Sequence, residues 1–145
     1  MLIRPFALTD EEQVIELWQR CELTRPWNDP RKDVQRKLTT QPELFLVLKL
    51  DGKVVGTAMG GYDGHRGWIN YLAVAPDFRG RGLGRHLMAK LEELLLARDC
   101  PKLNLQVRAG NEVAIGFYSK LGYAQDEVVS FGKRLVEDAG CAGGA

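Results

Sequence analysis

Apolar and polar residues alternate along this chain with two different periods, which separate the predicted strands from the predicted helices. Short runs rich in Val, Ile, Leu and aromatic residues predict strands, whereas apolar side chains that repeat every three to four positions predict helices. The elements follow the order strand, helix, helix, three strands, helix, strand, helix and one or two final strands. The predicted strands span residues 2–7, 44–50, 53–60, 68–74, 102–108 and part of 123–135.

The first two predicted helices carry start signals in the sequence. Thr9 and Glu12 have the spacing of a capping box, and an apolar stripe follows them. Asp29 followed by Pro30 is typical of a helix N-terminus, and this second helix should run to about Leu38. We therefore expect two short helices before the second strand, with a proline-containing break between them.

Turn residues and helix breakers organise the rest of the chain. Asp51-Gly52 lies between two strand patterns and predicts a hairpin. The clearest amphipathic helix begins near Leu83, and a later helix is bracketed by Asn111 and Gly122. The hairpin signals indicate antiparallel strands, whereas the later strand–helix–strand order indicates a parallel crossover. The sequence therefore predicts a mixed α/β sheet.

Length and composition favour one small globular domain. The chain has 145 residues, with 20 Lys and Arg against 19 Asp and Glu, and a formal charge of +1. This balance argues against a protein that works by coating nucleic acid or an anionic membrane. No apolar run approaches the roughly 20 residues of a membrane span, and the N-terminal stretch lacks an export signal, so we expect a cytoplasmic protein. We expect one domain over residues 1–138 and a disordered tail over 139–145, which consists of Gly, Ala and Cys.

The cysteines and histidines show no spacing that is typical of a metal site. Cys21, Cys100 and Cys141 are widely separated and form no C-x-x-C pair, which is typical of reduced thiols in a cytosolic protein. His65 and His86 lie too far apart in the sequence for a local metal site. We therefore expect no metal cofactor.

The segment 79–84, with the sequence RGRGLG, lies between a predicted strand and the long amphipathic helix. Glycines let a backbone approach a ligand, and a helix start offers unpaired N–H groups, so this combination favours a phosphate or pyrophosphate. Arg79, Arg81 and Arg85 add positive charge. The P-loop sequence is absent, and the glycine spacing of a dinucleotide-binding fold fails at Arg85 and Leu87. Nucleotide hydrolysis and hydride transfer are therefore disfavoured.

Two motifs, in this order along the chain, resemble the GNAT superfamily of N-acetyltransferases. Arg79-x-x-Gly82-x-Gly84 is similar to the acyl-CoA signature of that family. The segment 111–123, NEVAIGFYSKLGY, is similar to its late helix, which has N-x-x-A and F-Y-x-x-x-G-[FY] spacing. The order of the predicted elements agrees with the family over residues 1–135.

The resemblance implies a fold and a reaction. The fold would be a mixed, mostly antiparallel central sheet flanked by about four helices. The reaction would be the direct transfer of acetyl from acetyl-CoA to an amine, which makes the protein an acyltransferase for groups other than aminoacyl groups. The segments 25–30 and 61–67 look like the bacterial YpeA subgroup in particular.

The resemblance also implies roles for single residues. A bulge in the strand that ends at Val74 would expose backbone N–H groups to the thioester carbonyl, and such donors stabilise the oxyanion that forms when an amine attacks. Tyr118 would act as the catalytic acid and give a proton to the departing thiolate, for which a modestly lowered pKa would help. The residues implied to bind the donor are Leu72, Ala73, Val74, Arg79, Arg81, Gly82, Leu83, Gly84, Arg85, Asn111 and Tyr118.

The general base is the point at which this chain departs from some relatives. Family members that acetylate protein N-termini often carry L-E-V-R before the late helix, whereas this chain has Leu-Gln-Val-Arg with Gln106 in place of the glutamate. A glutamine binds an amine or a water but retains no proton at neutral pH. The alternative candidates for a base that acts through water are Glu22, Asp29, Asp63 and His65.

The acceptor is open at this stage. Trp27 and Asp29, in the break between the first two helices, offer an aromatic face and a carboxylate to a positively charged amine, and Gln106 is a third candidate contact. Two alternatives to an enzyme remain, namely an acyl-CoA-sensing module without turnover and an adapter that binds a partner through Trp27. The sequence leaves a homodimer open as well.

Overall fold

The strands of the sheet lie side by side in the order in which they occur in the chain. The computed structural model describes residues 1–138. The first four strands pair antiparallel, and the fourth and fifth pair parallel. The strands are β1 (Leu2–Pro5), β2 (Phe45–Leu50), β3 (Lys53–Tyr62), β4 (Gly67–Val74) and β5 (Leu103–Leu105), and the helices are α1 (Glu11–Arg20), α2 (Pro30–Leu38), α3 (Leu83–Leu96) and α4 (Glu112–Lys120). This mixed sheet with four helices confirms the fold class.

The two faces of β3 carry different helices, because successive side chains of a strand point to opposite sides. Thr57 faces α1, where its hydroxyl accepts a hydrogen bond of 2.9 Å from Trp18 Nε1. Gly56 and Gly60 face α3. A Cβ at Gly60 would lie 2.4 Å from Leu91 Cδ1, so the absence of a side chain there lets α3 pack directly on the sheet.

The apolar core continues across β2, which is covered on both faces. Its first four residues, Phe45–Leu48, are each at most 1% exposed. A strand that is buried on both faces has a continuous apolar sequence, which is why the sequence predicts a strand here. The largest fully buried side chains of the core are Trp18, Phe45, Leu44, Leu46, Leu48, Leu87, Met88 and Leu91.

The predicted capping box at the start of the first helix is wrong. A 3₁₀ turn over Leu8–Asp10 precedes α1, and Asp10 occupies the N-cap position in place of Thr9. The reason is an ion pair, because both carboxylate oxygens of Asp10 accept hydrogen bonds from Arg4, at 2.7 and 2.9 Å. These hydrogen bonds also hold the pKa of Asp10 below its usual range. The carboxylate of Glu12 instead binds Arg31 on α2, at 2.9 Å.

The predicted strands near the C-terminal end are too long or absent. The strand expected over 102–108 is limited to β5, and residues 123–135 contain no strand, although they lie in the described part of the chain. Val128 and Phe131 of that segment are 77% and 93% exposed, so alternating apolar residues here find no sheet to cover. β3 in turn extends two residues beyond its predicted end, to Tyr62. The tail predicted over 139–145 lies outside the described residues.

The close packing at Gly60 predicts a large effect of a single methyl group. Gly60→Ala should lower the free energy of unfolding by about 1–3 kcal/mol, because Leu91 is fully buried and cannot move aside freely. Chemical denaturation measures this change. Gly61→Ala is the matched control, since its Cβ would meet its nearest neighbour at an ordinary 3.5 Å. Equal stability of the two variants would contradict the packing argument.

Candidate active site

The pairing between β4 and β5 stops in the middle of β4, and a cavity opens at that point. The last paired residues are Ile69 and Leu105. Beyond them, residues 70–72 of β4 and residues 106–108 after β5 line opposite walls of a cavity of about 870 Å³. Residues of the segment after α1, together with α2 and α4, complete its walls. The separation of two strands therefore creates an opening in the sheet at this point.

A β-bulge lies in β4 at the same point. Tyr71 and Leu72 together stand opposite Ala58 of β3, because the pairing passes from Thr57–Ala73 directly to Met59–Asn70. The backbone of Tyr71 is left-handed, with φ of 51°, which is uncommon for a bulky residue. A bulge leaves one residue out of the ladder and bends the strand, so β4 turns its backbone towards the cavity.

Buried contacts from α1 hold this bulge. The Trp18 and Tyr71 rings stack with centroids 3.8 Å apart. Thr57 Oγ1 donates a hydrogen bond of 2.8 Å to the carbonyl oxygen of Tyr71 and accepts one from Trp18 Nε1. Trp18 and Thr57 are both fully buried. The strained residue is thus fixed at its ring and at its carbonyl.

The hydroxyl of Tyr71 connects the bulge to α2. It donates a hydrogen bond of 2.6 Å to Asp33, and the side-chain amide of Asn28 bonds to both groups. Burial, together with the nearby Asp33 carboxylate, raises the pKa of Tyr71 well above its usual range. The sequence did not predict this contact. Neither the spacing of residues along α2 nor the presence of a tyrosine in β4 indicates that Asp33 and Tyr71 meet.

The start of α3 presents free backbone donors. Gly80 and Gly82 have φ of 82° and 77°, which turn the chain tightly before the helix. The amide of His86 is the first to bond back, to the carbonyl oxygen of Gly82. Among the described residues, the amides of 80–85 donate to no backbone carbonyl. A helix start of this kind fits a phosphate or pyrophosphate, as its sequence predicts.

Gly84, the last glycine of this motif, positions α4. A Cβ at Gly84 would lie 3.1 Å from the Phe117 ring, so the helices α3 and α4 meet here at close range. This contact brings Asn111 and Tyr118 to the cavity wall. The side-chain Oδ1 of Asn111 caps α4 by accepting a hydrogen bond of 3.2 Å from the amide of Ala114, which leaves the side-chain nitrogen of Asn111 for a ligand.

Tyr118 is half-buried on the cavity wall, and its ring packs edge-on against Phe117 and Tyr123. Burial raises the pKa of Tyr118 to about 12. The modestly lowered value that would help proton transfer is therefore not what the structure shows. A phenol with this pKa keeps its proton throughout the neutral range and serves as a hydrogen-bond donor.

Of the three predicted acceptor contacts, one lines the cavity and two do not. Gln106 lines the cavity, and its side-chain amide donates to the hydroxyl of Ser130. Trp27 is 42% exposed and does not line the cavity. Asp29 does not line it either, because its carboxylate caps α2 by accepting a hydrogen bond of 2.9 Å from the amide of Arg31.

Of the four candidate bases, Glu22 lines the cavity, and the other three do not. Glu22 is exposed and lines the cavity, close in the chain to Cys21, which lines it as well. Asp63 instead closes the turn between β3 and β4, where it accepts hydrogen bonds from the amides of Arg66 and His65 that hold its pKa below the usual range. His65 belongs to the same turn and does not line the cavity.

A carboxylate near the end of the described chain fixes the segment between α1 and α2. Asp138 accepts hydrogen bonds from the backbone amide of Asp29 and from the side chain of Arg36, and it pairs with Arg134 at 2.9 Å. These donors lower the pKa of Asp138 to about 2. Sequence analysis gave no indication of this anchor, which joins residues 109 positions apart.

Residues 1–138 contain neither a metal site nor a helix that could cross a membrane. No group of His, Cys, Asp and Glu side chains there is arranged to hold a metal ion. None of the helices described here combines the length and the apolar character that crossing a membrane requires. Cys100 is buried and bonds to the carbonyl oxygen of Lys102, which is consistent with a structural role.

Comparison with known proteins decides the family. The model of the acetyltransferase (GNAT) family matches residues 12–123. A protein named acetyltransferase from Sodalis glossinidius is 56% identical over 139 residues, which cover 95% of this chain and 98% of the relative. The chain belongs to the GNAT acetyltransferase family. The predicted family is therefore confirmed, and the acetyltransferase is an acyl-CoA-dependent acyltransferase that acts on an amine.

Solved structures agree with this assignment. Ard1 from Thermoplasma volcanium is 33% identical, with a TM-score of 0.74, and the match covers 85% of this chain and 82% of that protein. An aminoglycoside N-acetyltransferase, AAC(6')-Iy in complex with CoA, is 19% identical and shares the fold of this acetyltransferase, with a TM-score of 0.71 over 92% and 99% of the two chains.

The buried hydroxyl of Thr57 should be essential to the bulge. Thr57→Val leaves the indole N–H of Trp18 and the carbonyl oxygen of Tyr71 without partners, which should lower the free energy of unfolding by about 1–3 kcal/mol. It should also weaken acyl-CoA binding, because β4 is free to straighten. Thr57→Ser retains the hydroxyl and is the control. Denaturation and CoA titration measure both effects, and equal behaviour of the two variants would contradict this role.

Proposed function

We propose that this enzyme transfers acetyl from acetyl-CoA directly to a primary amine that enters from the side of α1 and α2. The observation that carries the proposal is the position of the cavity. It opens where β4 leaves β5, and it is lined by Leu72 at the bulge, by Tyr118 of α4 and by Glu22 after α1. Donor-side and acceptor-side groups therefore face one space, as direct transfer requires.

The pyrophosphate of the donor is assigned to the amides of 80–85. Among the described residues these N–H groups donate to no backbone carbonyl, and the left-handed glycines Gly80 and Gly82 turn the chain tightly into the helix start. Arg81 and Arg85 are exposed beside them and add positive charge. The complex of AAC(6')-Iy with CoA supports this class of ligand for the shared fold.

The thioester is assigned to the bulged part of β4. The bulge takes Leu72 out of the ladder, and β5 no longer pairs with Leu72–Val74, so the backbone N–H groups of this stretch that point away from β3 are available on that side. An N–H group held by the sheet stabilises the negative charge that develops on the carbonyl oxygen during attack. Asn111 is assigned to the pantetheine arm, through the amide nitrogen that capping leaves free.

Two side chains on the cavity wall act on the amine proton and on the departing thiolate. The amine lone pair attacks the thioester carbon, and the amine proton passes to the carboxylate of Glu22 or through it to solvent. When the carbon–sulfur bond breaks, the Tyr118 hydroxyl donates a hydrogen bond that stabilises the departing thiolate, and the thiolate takes its proton from solvent. The high pKa of Tyr118 keeps this hydroxyl protonated, so that it acts as a hydrogen-bond donor throughout the reaction.

Acetyl-CoA should raise the melting temperature of the protein, since it binds the native state selectively. Gly82→Val should abolish this shift, because a β-branched residue tolerates φ of 77° poorly and the amides would turn away. Gly52→Val is the matched control, because that glycine has φ of 78°, open space around it and a place in the β2–β3 turn. A full acetyl-CoA shift in Gly82→Val would contradict the assignment.

The proton path predicts two different losses of rate. Tyr118→Phe should lower kcat roughly 10- to 100-fold with little change in acetyl-CoA affinity, because only the hydroxyl is removed. Glu22→Gln should lower kcat near neutral pH and recover at high pH, where the amine loses its proton without help. Rate profiles against pH under single-turnover conditions measure both. Unchanged profiles in both variants would contradict this proton path, whereas absence of transfer by the wild type to every amine would reduce the protein to an acyl-CoA-binding module.

A further inference from the structure

Lys37 carries a charge that the proposed reaction does not use. It is only 9% exposed, lies on α2 and lines the cavity. Among residues 1–138 its ammonium group has no hydrogen bond and no carboxylate within ion-pair distance. Every fully enclosed polar side-chain atom of the described residues has a partner, so the unpartnered Nζ of Lys37 is not fully enclosed, and it belongs to a residue that lines the cavity.

The polar groups around Lys37 are already occupied. Glu43, whose charge acts on Lys37, is paired with Arg98 at 2.7 Å. Gln41 bonds through its side chain to both backbone polar groups of Tyr62, at 2.8 and 2.9 Å. Burial consequently lowers the pKa of Lys37 more than Glu43 raises it. A buried cation without a counterion costs free energy that a bound anion would recover.

The side of α2 that faces the cavity carries a negative residue first and positive residues further along the helix. Asp33, Arg36, Lys37 and Thr40 all line the cavity, and their spacing places them on one side of the helix. Asp33 is the residue bonded to Tyr71 at the bulge. Arg36 is paired with two carboxylates, so its charge is balanced. Lys37 lies four residues beyond Asp33, which is about 6 Å further along the axis and away from the bulge.

We propose that Lys37 binds a carboxylate of the acceptor, so that the acceptor is an amino carboxylate whose two charged ends lie about one helical turn apart. The amine then lies at the bulge near Glu22, and the carboxylate lies deeper along α2. This inference rests on the proposed acetyl transfer and names the class of acceptor for the same cavity.

Matched pairs of amines test the inference. The probes are 4-aminobutanoate against butylamine and 6-aminohexanoate against hexylamine, with 1,4-diaminobutane as a doubly positive acceptor. Each is assayed for kcat/KM with acetyl-CoA and for thermal stabilisation of the CoA-saturated protein. The variants are Lys37→Met, which removes the charge at similar length, Lys37→Glu, which reverses it, and Lys37→Arg, which retains it. Lys32→Met, on the same helix but away from the cavity lining, is the control.

The wild type and Lys32→Met should prefer at least one amino carboxylate to its alkylamine by roughly 10- to 100-fold in kcat/KM, as expected for a charge-assisted contact. Lys37→Met should abolish this preference through KM, Lys37→Arg should retain most of it, and Lys37→Glu should shift preference to the diamine. Acetyl-CoA stabilisation should be the same in all variants.

Two results would overturn the inference while leaving acetyl transfer intact. One is equal use of amino carboxylates and alkylamines by the wild type. The other is a preference that persists unchanged in both Lys37→Met and Lys37→Glu. Absence of both transfer and stabilisation with every amino carboxylate would also overturn it. Loss of acetyl-CoA stabilisation in the wild type would instead contradict the proposed function itself.

Discussion

The left-handed backbone at Tyr71 is the constraint on which the site depends. A bulky residue in this conformation costs about 1–3 kcal/mol, and it persists only where its surroundings fix it. Here the ring of Trp18 stacks on that of Tyr71, and the hydroxyl of Thr57 holds its carbonyl oxygen. Because these contacts are buried, the bulge is a fixed part of the core. It separates β4 from β5 and thereby opens the cavity of this acetyltransferase.

The same residue links the donor side of the cavity to the acceptor side. Tyr71 belongs to the strand that we assign to the thioester, and its hydroxyl bonds to Asp33 on α2. The segment before α2 is in turn held by Asp138, which binds the amide of Asp29. Helix α2, which carries Lys37 and Asp33, is therefore placed by contacts with both the bulge and the end of the described chain. A fixed α2 lets one helix face define the distance between two charged groups of an acceptor.

The sequence alone was sufficient for the parts of the molecule that depend on local chemistry. The glycines around Gly82, the cap at Asn111 and the apolar periodicity of the strands each require particular residues at particular spacings, and the structure contains them where they were predicted. The bulge and the roles of Asp33 and Asp138 could not be predicted in this way. They depend on contacts between residues far apart in the chain, and charged residues on a short helix look the same whether they face solvent or a cavity. The strands expected after α4 failed for a related reason, since alternation shows that a segment could pair but not that a partner strand is present.

A crystal structure of the enzyme with a non-hydrolysable acetyl-CoA analogue tests the central claim most directly. We expect the pyrophosphate to accept hydrogen bonds from the amides of 80–85, the acetyl carbonyl oxygen to accept one from β4 at Leu72–Val74, and the sulfur to lie within hydrogen-bond reach of the Tyr118 hydroxyl. A donor bound with its pyrophosphate away from α3, or with its acetyl group outside the gap between β4 and β5, would contradict the account.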